Sequence, residues 1–471
     1  MSIQWDQEVE KYKDQLIQDL QGLLQIPSVL DEKNTTVEAP LGVDVKKALD
    51  YMLKQGDQDG FTTKNVGNLA GHIEIGEGED ILGVLCHVDV VPAGEGWSYP
   101  AFSGQIDNNR IYARGAIDDK GPTMAAYFAM KMVNDLGIPF QKRVRMIVGT
   151  DEESNWRCVD HYFEHEEMPT IGFAPDADFP IIHAEKGIID FDLVLTERKK
   201  DDTAPKMELR SFTSGERYNM IPDRAKAILV PHLDQTFLLQ EYDEFLKEQG
   251  VTGDYYIDGG VLILECNGKS AHAMEPDNGV NAGLMLLSFL ARFDFDARAQ
   301  AFYSFAKKNL HNDSRAHALG LAGKDEISGD LTMNVGKIRY SDEEAYLGLN
   351  VRYPVTYDMD RAIQKLTSEL LELGIEIANI DDSKPHHVDG QDPFVQTLLR
   401  VYEEQTKERG ELLAIGGGTY ARSLTKGVAF GALFPGREDV AHQKDEYIDI
   451  DDLLRATAIY AQAIYEIACK K

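Results

Sequence analysis

The feature that most constrains the fold is a series of short apolar segments that each end in ionisable residues. The segments that predict buried strands are residues 80–91, 143–149, 170–174 and 427–433. Helical periodicity predicts helices over residues 5–24, 122–136 and 451–468. Strands that alternate with helices favour an α/β sheet with some parallel pairing. Open α/β sheets place their binding crevice at the carboxyl ends of the strands, so the ionisable residues found there are the first candidates for a site.

The length of the chain predicts more than one domain. Single hydrophobic cores stop growing near about 250–300 residues, and this chain has 471. In the middle the pattern changes to strands of more antiparallel character, at residues 187–195, 225–230 and 260–266, and residues 381–389 resemble a linker. We therefore expect an α/β domain in two segments, 1–185 and 385–471, a mixed sheet flanked by helices. An inserted α+β domain over residues 186–384 interrupts it.

Charge and cysteine spacing narrow the functional classes. The chain has 48 Lys and Arg against 80 Asp and Glu, a formal charge of −32, which opposes a nucleic-acid partner. Neither an apolar run of membrane-spanning length nor a secretory signal is visible, so we predict a cytoplasmic protein with no membrane partner. The four cysteines lie far apart and form no CxxC pair. A metal site would therefore use His and carboxylate ligands.

Two motifs bring acids close to a strand end or a helix start. In His87-Val88-Asp89 the two polar residues share one face of a strand, so Asp89 can orient a metal-bound His87, although a turn Asp explains the pattern as well. In Asp118-Asp119, which precede the helix at 122–136, Asp119 fits a helix cap. Asp118 is then available to bridge two cations.

Three further positions gain meaning only in combination. Asp151-Glu152-Glu153 follows a strand and is either a solvated turn or a metal-binding carboxylate beside a general base. Asp176 lies in a turn-like segment, and His442 stands alone in a loop. The combined set of two imidazoles and three carboxylates suits two divalent ions about 3.5–4 Å apart, each with one His and sharing a bridging carboxylate. Its members are His87, Asp118, Glu153, Asp176 and His442.

At this point a family resemblance can be stated. The runs that carry it are GVLCHVDVVPAGEGW, YARGAIDDKGP, GTDEESNW, PDADFP, GKSAHAMEP, VRYP, GGGTYAR and AHQKDE. In this order they resemble the co-catalytic zinc peptidases of the aminoacylase and carnosinase superfamily, and within it the bacterial dipeptidase PepV type. The resemblance covers essentially the whole chain.

The resemblance implies a role for each candidate. His87 and Asp176 would bind one metal, Glu153 and His442 the other, and Asp118 would bridge the two. Asp89 would orient His87, and Glu152 would be the general base that takes the water proton and passes it to the leaving amine. The expected cofactor is two Zn²⁺ per chain, with Mn²⁺ or Co²⁺ able to replace it.

The inserted domain would correspond to the lid of this family. His272 in Ser270-Ala271-His272 would stabilise the tetrahedral oxyanion, Asn219 and Arg352 would bind the substrate, and the backbone N–H groups of Gly416–Thr419 would face its carboxylate. The residues of that run expected at the substrate are Gly417, Gly418 and Thr419. Dimeric members have shorter lids and take the oxyanion His from a partner. The long insertion here implies a monomer that supplies His272 itself.

The expected function is hydrolysis of unblocked dipeptides by a metal-bound hydroxide. An N-acyl-amino-acid deacylase of the same superfamily would share every metal residue and differ only in what the lid recognises. A metal-binding or peptide-binding protein that has lost catalysis is a second alternative. The presence of both Glu152 and His272 argues against it.

Overall fold

The chain divides into two compact units. The computed structural model describes residues 3–196, 207–231 and 235–470. The first unit comprises Met1–Ala184, His387–Ala414 and Gly418–Lys471, and the second comprises Glu185–His386 and Ile415–Gly417. Mixed sheets flanked by helices make up the fold, which confirms the predicted fold class.

The helices of the described residues are short to medium in length. In chain order they are α1 (Trp5–Glu10), α2 (Lys13–Leu24), α3 (Val43–Gln58), α4 (Lys120–Asp135), α5 (Arg157–His165), α6 (Gln235–Gln249), α7 (Ala282–Leu290), α8 (Ala297–Asn309), α9 (Met359–Leu371), α10 (Pro393–Thr406) and α11 (Ile450–Ile464). Within residues 3–196, 207–231 and 235–470, every helix is too short or too polar to cross a membrane.

The strands form one large sheet in each unit and several small ones. In chain order they are β1 (Thr62–Val66), β2 (Ala70–Ile75), β3 (Ile81–His87), β4 (Gln105–Asp107), β5 (Arg110–Tyr112), β6 (Arg143–Gly149), β7 (Ile171–Ala174), β8 (Ala177–Asp178), β9 (Ile181–Glu185), β10 (Gly187–Leu195), β11 (Met207–Ser214), β12 (Arg224–Pro231), β13 (Thr252–Asp258), β14 (Val261–Asn267), β15 (Lys324–Asp325), β16 (Gly329–Asp330), β17 (Thr332–Tyr340), β18 (Ala345–Tyr353), β19 (Ile375–Ser383), β20 (His386–His387), β21 (Leu412–Ile415), β22 (Gly427–Ala429), β23 (Ala432–Leu433) and β24 (Tyr447–Asp449).

The large sheet of the first unit has a parallel centre. Its strand order is β1-β2-β6-β3-β7-β22-β9-β20, with β21 beside β9. β3 runs parallel to both β6 and β7, and β22 runs parallel to β7. All seven residues of β3 are buried, as a strand covered on both faces requires. Because these four strands are parallel, their carboxyl ends lie at one edge of the sheet.

Two helices dominate the core of the first unit. α4 and α11 pack against each other, and most residues of both are buried. Pro122 occupies the first turn of α4, and Gly137, with φ +64°, follows its end. α4 is thus a buried helix rich in Ala and Met, and Asp118 lies just before its first residue.

The second unit is built on an antiparallel sheet. Its strand order is β13-β14-β12-β11-β17-β18-β10-β19. Helices α7, α8 and α9 are capped by Asn281, Asp296 and Asp358, the residues just before each helix, whose side chains accept N–H groups of the first helical turn. The expected antiparallel character of the middle of the chain is observed here.

Three local predictions were wrong. The single helix expected over residues 5–24 is two helices, because the hydrogen bonds tighten at Lys11 and Tyr12 to the carbonyls three residues back. The strand expected at 427–433 is β22 and β23, separated at Gly431, whose φ is +77° and whose added Cβ would lie 2.3 Å from the Phe179 ring. The linker expected at 381–389 instead includes the end of β19, where Asp381 pairs with Asp190, and all of β20.

Candidate active site

The parallel centre of the first sheet brings three of the predicted residues to one edge. His87 is the last residue of β3 and pairs in register with Gly149, the last residue of β6. Glu153 follows β6 by four residues, and Asp176 follows β7 by two. The sheet topology therefore explains why residues 87, 153 and 176 lie close together.

The two remaining candidates come from loops. Asp118 lies just before α4, and His442 lies in the loop between β23 and β24. His442 has φ +63°, a left-handed conformation that residues other than glycine seldom adopt. Its side chain is half exposed, whereas His87 is completely buried.

The five predicted metal ligands form two groups that share Asp118. In each group the potential ligand atoms lie within 4.8 Å of one another: His87, Asp118 and Asp176 in one, and Asp118, Glu153 and His442 in the other. Asp118 Oδ1 lies 3.1 Å from His87 Nε2, while its Oδ2 lies 3.0 Å from His442 Nε2. His442 Nε2 also lies 3.0 Å from Glu153 Oε2. The two oxygens of one carboxylate therefore face two different imidazoles.

The His87 ring provides a test of whether a cation fits here. Its Nε2 is buried and has no hydrogen-bond partner in the described part of the chain, although Asp118 Oδ1 is 3.1 Å and Asp176 Oδ2 is 3.6 Å away. A buried nitrogen left unpaired beside two carboxylates is costly without a positive charge between them. Imidazole and carboxylate are ligands of Zn²⁺, Mn²⁺ and Co²⁺, so the residues fit such an ion.

The electrostatics of the pocket agree with this fit. Burial raises the pKa of Asp176 to about 6, against the opposing effect of His87. Burial also raises the pKa of Glu152 well above its usual value, and Asp176 and Asp118 add to the rise. Hydrogen bonds to Asp118 and Glu153 raise the pKa of His442 to about 10. Asp118 is the exception: burial opposes the change, but hydrogen bonds to His442 and His87 lower the pKa of its carboxyl. The shared carboxylate therefore stays ionised, while Asp176, Glu152 and His442 hold protons more tightly, which is the response of a cluster that attracts positive charge.

Asp89 stabilises this arrangement through both its backbone carbonyl and its carboxylate. The closest partner of His87 Nδ1 is the backbone carbonyl of Asp89, at 3.1 Å, and the Asp89 carboxylate is 3.5 Å away. That carboxylate accepts the backbone N–H groups of Glu152 at 3.2 Å and Glu153 at 3.1 Å. Asp89 therefore contacts the His87 ring and also anchors the loop that carries the two glutamates.

Asp119 does not cap α4 with its side chain, contrary to the interpretation from the sequence. It occupies the N-cap position without a side-chain cap hydrogen bond. Its Oδ2 instead accepts the backbone N–H of His87 at 3.2 Å and the Thr123 hydroxyl at 3.0 Å. Asp119 thus fixes the end of β3, and burial raises the pKa of its carboxyl well above the usual value.

The second unit brings several of the other predicted residues together. Met220 and His272 form an isolated antiparallel bridge, and the N–H of Ala273 donates to the Asn219 carbonyl at 2.9 Å. Partial burial and the charge of Arg352 lower the pKa of His272. Asn219, His272 and Arg352 are therefore neighbours within this unit.

Arg352 is buried in β18 and connects to the glycine run. Its Nε donates to Asn350 Oδ1 at 2.8 Å and its Nη1 to the Gly416 carbonyl at 3.1 Å. Gly417 belongs to the second unit, while Gly418 and Thr419 belong to the first. Thr419 precedes a short 3₁₀ turn and accepts the N–H of Ala421 at 3.3 Å.

Comparison with known proteins decides the family. The sequence profile of Peptidase family M20/M25/M40 matches residues 83–466. The chain belongs to this family. The resemblance stated from the sequence is therefore confirmed.

Relatives of similar length support the membership of this M20 peptidase. It is 53% identical over 465 residues to "Putative dipeptidase YtjP" of Bacillus subtilis (strain 168), covering 98% of this chain and 99% of the relative. A protein of the same description from Staphylococcus aureus (strain USA300) is 48% identical over 468 residues, covering 99% of this chain and 100% of the relative.

Solved structures show that the M20 peptidase shares its fold with more distant enzymes. Human carnosine dipeptidase 1 has a TM-score of 0.55 at 12% identity, with 98% of each chain covered. The aminoacylhistidine dipeptidase of Vibrio alginolyticus has a TM-score of 0.57 at 13% identity, with 97% of each chain covered.

Sequence reasoning missed two residues that contact the site of this M20 peptidase. Glu446 is completely buried, and its Oε1 accepts the N–H groups of Ile117 at 3.0 Å and Asp118 at 3.2 Å. Arg114, also buried, donates to Glu446 Oε2 at 2.5 Å. Both residues lie inside the quoted motifs, but a charged residue within a motif does not reveal its burial or its partner.

A further group with metal-ligand geometry lies on α5. His161, Glu164 and His165 offer ligand atoms within 4.8 Å of one another. The spacing places all three on one helix face. His165 Nδ1 lies 2.8 Å from the His161 carbonyl, and the group is largely exposed. We refer to these three residues as the α5 group.

Proposed function

We propose that this M20 peptidase is a metal-dependent dipeptidase that hydrolyses the peptide bond of unblocked short peptides, mainly dipeptides. The observation that carries the proposal is the position of Asp118. Its two oxygens lie 3.1 Å from His87 Nε2 and 3.0 Å from His442 Nε2. A carboxylate between two imidazoles, each with a further carboxylate beside it, suits a pair of divalent cations. The relatives described as dipeptidases support the substrate class.

The proposal assigns two Zn²⁺ ions to each chain, with Mn²⁺ or Co²⁺ able to replace them. His87 and Asp176 would hold one ion, Glu153 and His442 the other, and Asp118 both. When bound, such a pair lowers the pKa of a shared water and polarises the scissile carbonyl. The support is the unpaired Nε2 of His87 and the two ligand groups that share Asp118.

Glu152 is proposed as the general base that takes the proton of the attacking water and passes it to the leaving amine. Its backbone is fixed by the same Asp89 carboxylate that fixes Glu153, at 3.2 and 3.1 Å. Burial and nearby carboxylates raise its pKa, which suits a group that must both accept and release a proton. Asp89 is proposed to orient His87 as well, through its carbonyl and carboxylate.

The second unit is proposed to act as a lid that completes the site. His272 Nδ1 accepts the N–H of Met274 at 3.2 Å, so a neutral ring carries its proton on Nε2. We propose that this N–H stabilises the oxyanion of the tetrahedral intermediate. Arg352 and Asn219 would bind the peptide, Arg352 at its C-terminal carboxylate. The backbone N–H groups of Gly417, Gly418 and Thr419 would face that carboxylate.

The test is release of free amino acids from matched unblocked and N-acylated dipeptides. The protein is stripped of metal with a chelator and then restored with Zn²⁺ or Mn²⁺. We expect metal-dependent cleavage of the unblocked peptides only. Cleavage of the acylated set alone would move the function to deacylation, and activity that persists in the stripped protein would refute the metal-dependent mechanism.

We further propose that the enzyme works in the cytoplasm as a monomer with His272 supplied by its own chain. The large second unit, which includes Glu185–His386, supports this, because dimeric members of the superfamily have shorter lids. Analytical ultracentrifugation should give the mass of one chain, 52.7 kDa. A dimer that persists at the enzyme concentrations used for turnover would contradict the proposal.

A further inference from the structure

Arg114 and Glu446 form an ion pair in the interior of the first unit. Arg114 is 2% exposed and Glu446 is 0% exposed, and Arg114 Nη1 donates to Glu446 Oε2 at 2.5 Å. Removing two charges from water is costly and can cancel their attraction, so a buried ion pair is weak evidence for a contribution to stability. The other hydrogen bonds of Arg114 and Glu446 indicate the role of the pair.

Glu446 fixes the backbone in front of α4. Its Oε1 accepts the N–H of Ile117 at 3.0 Å and that of Asp118 at 3.2 Å. The N–H of Ala113 donates to the Glu446 carbonyl at 3.0 Å, which ties the same loop a second time. Glu446 therefore fixes the backbone from which the Asp118 carboxylate extends.

Arg114 reaches the other loop of the site. Its Nη2 donates to the His442 carbonyl at 3.2 Å, and its Nη1 is the atom that binds Glu446. His442 has φ +63°, a left-handed conformation that is unfavourable for a residue other than glycine. A donor aimed at its carbonyl holds this conformation in place.

We infer that Arg114 and Glu446 are positioning residues that fix Asp118 and His442 relative to each other and thereby set the affinity for the cation held by Asp118, Glu153 and His442. The inference rests on the proposed metal-dependent function. The two contacts have separable effects. The Glu446 contact fixes Asp118, which both ligand groups share. The second arm of Arg114 donates to the carbonyls of His442 at 3.2 Å and Ala93 at 3.5 Å, and of these two residues only His442 is a proposed ligand.

The deciding variant is Arg114→Lys. An ammonium can keep the charge beside Glu446, but it lacks the planar fork that reaches Glu446 and the His442 carbonyl at once. Calorimetric titration of the metal-free protein with Zn²⁺ should show one ion bound about 10- to 100-fold more weakly, as is typical when an outer contact of a metal ligand is lost. The other ion should bind with unchanged affinity.

Arg114→Met removes both contacts of the arginine and leaves Glu446 without its ion partner. It should weaken both ions, but a buried unpaired carboxylate can also prevent folding. Arg114→Lys therefore decides the question if the Met variant does not fold.

A matched control is Arg145→Lys. Arg145 is also buried and its Nε donates to Glu74 Oε2 at 2.5 Å, between β6 and β2, away from every proposed ligand. The Arg145→Lys variant should change the free energy of unfolding but should leave the affinity for each of the two ions unchanged. If the wild-type protein does not bind two ions, the proposed function fails. If it binds two and Arg114→Lys binds both with wild-type affinities, or Arg145→Lys weakens an ion equally, the positioning inference is wrong.

Discussion

Asp176 is a proposed ligand whose burial should destabilise the metal-free protein. Burial raises its pKa from an ordinary value of 3.8 to about 6, even against the favourable charge of His87. One pKa unit corresponds to about 1.4 kcal/mol. At pH 7, where the folded and unfolded chains both carry the ionised carboxylate, the rise therefore lowers the free energy of unfolding by about 3 kcal/mol.

Asp176→Asn removes this cost because an amide does not ionise. Between pH 3.8 and about 6 the folded wild-type chain keeps a proton that the unfolded chain has released, so its stability falls as the pH rises through this window. The variant should therefore be more stable than the wild type by up to about 3 kcal/mol at pH 7. The gain should shrink to about 1 kcal/mol near pH 4.5.

Urea unfolding of the chelator-treated proteins, followed by tryptophan fluorescence, measures this difference. The three tryptophans, Trp5, Trp97 and Trp156, all lie in the first unit, so the signal reports the unit that contains Asp176. Asp80→Asn, an exposed change of the same chemistry, should shift the free energy of unfolding by less than about 1 kcal/mol at every pH. Saturating Zn²⁺ should reverse the order, because ions that bind the folded wild type stabilise it. A loss of stability in metal-free Asp176→Asn at pH 7, or a gain that does not change with pH, would refute the reasoning.

Four further predictions concern turnover and ion binding. Glu152→Gln should lower kcat by about 10²- to 10⁴-fold while calorimetry still shows both ions; loss of an ion would make Glu152 a ligand instead. His272→Ala should lower kcat by about 10²- to 10³-fold with little change in KM, and a change confined to KM would remove the oxyanion role. Arg352→Lys should raise KM for free dipeptides more than for C-terminally amidated ones, because the bidentate fork is lost; equal effects on both would argue against carboxylate binding. His165→Gln, in the largely exposed α5 group, should leave both hydrolysis and the number of bound Zn²⁺ ions unchanged, because the two ions are assigned to the other ligand groups; loss of an ion in this variant would contradict that assignment.

The sequence was most informative where a local rule and the sheet topology coincide. The strand predicted at 143–149 has those bounds in the structure, and β3 and β7 lie within their predicted segments. Parallel strands place their carboxyl ends at one edge, so proximity of His87 and Asp176 follows once the strands are recognised. Asp118 and His442 lie in loops, and their proximity to each other was expected only through the combined ligand set and the family resemblance.

The sequence was least informative where a contact joins distant segments or replaces a local one. Glu446 and Arg114 are separated by 332 positions, and no periodicity or turn pattern reports their contact. Asp119 stands at a helix start, where a side-chain cap is the ordinary expectation, yet its carboxylate binds the backbone of His87. The Asp119 carboxylate accepts this tertiary hydrogen bond instead of capping α4, because the buried N–H at the end of β3 also needs an acceptor.

The contacts of three carboxylates suggest how such an acidic site keeps its shape. Asp89 accepts the N–H groups of Glu152 and Glu153, Asp119 accepts that of His87, and Glu446 accepts that of Asp118. The backbone at Glu152, Glu153, His87 and Asp118 is thus held by hydrogen bonds from its own N–H groups. These hydrogen bonds do not depend on the charge of the four side chains. Because the backbone contacts are independent of the ligand charges, the mutually repelling ligands can remain close together before an ion binds. It also means that changing a proposed ligand, as in Asp176→Asn, should relieve repulsion and leave the scaffold in place, whereas changing Arg114 should disturb the scaffold and leave every ligand present.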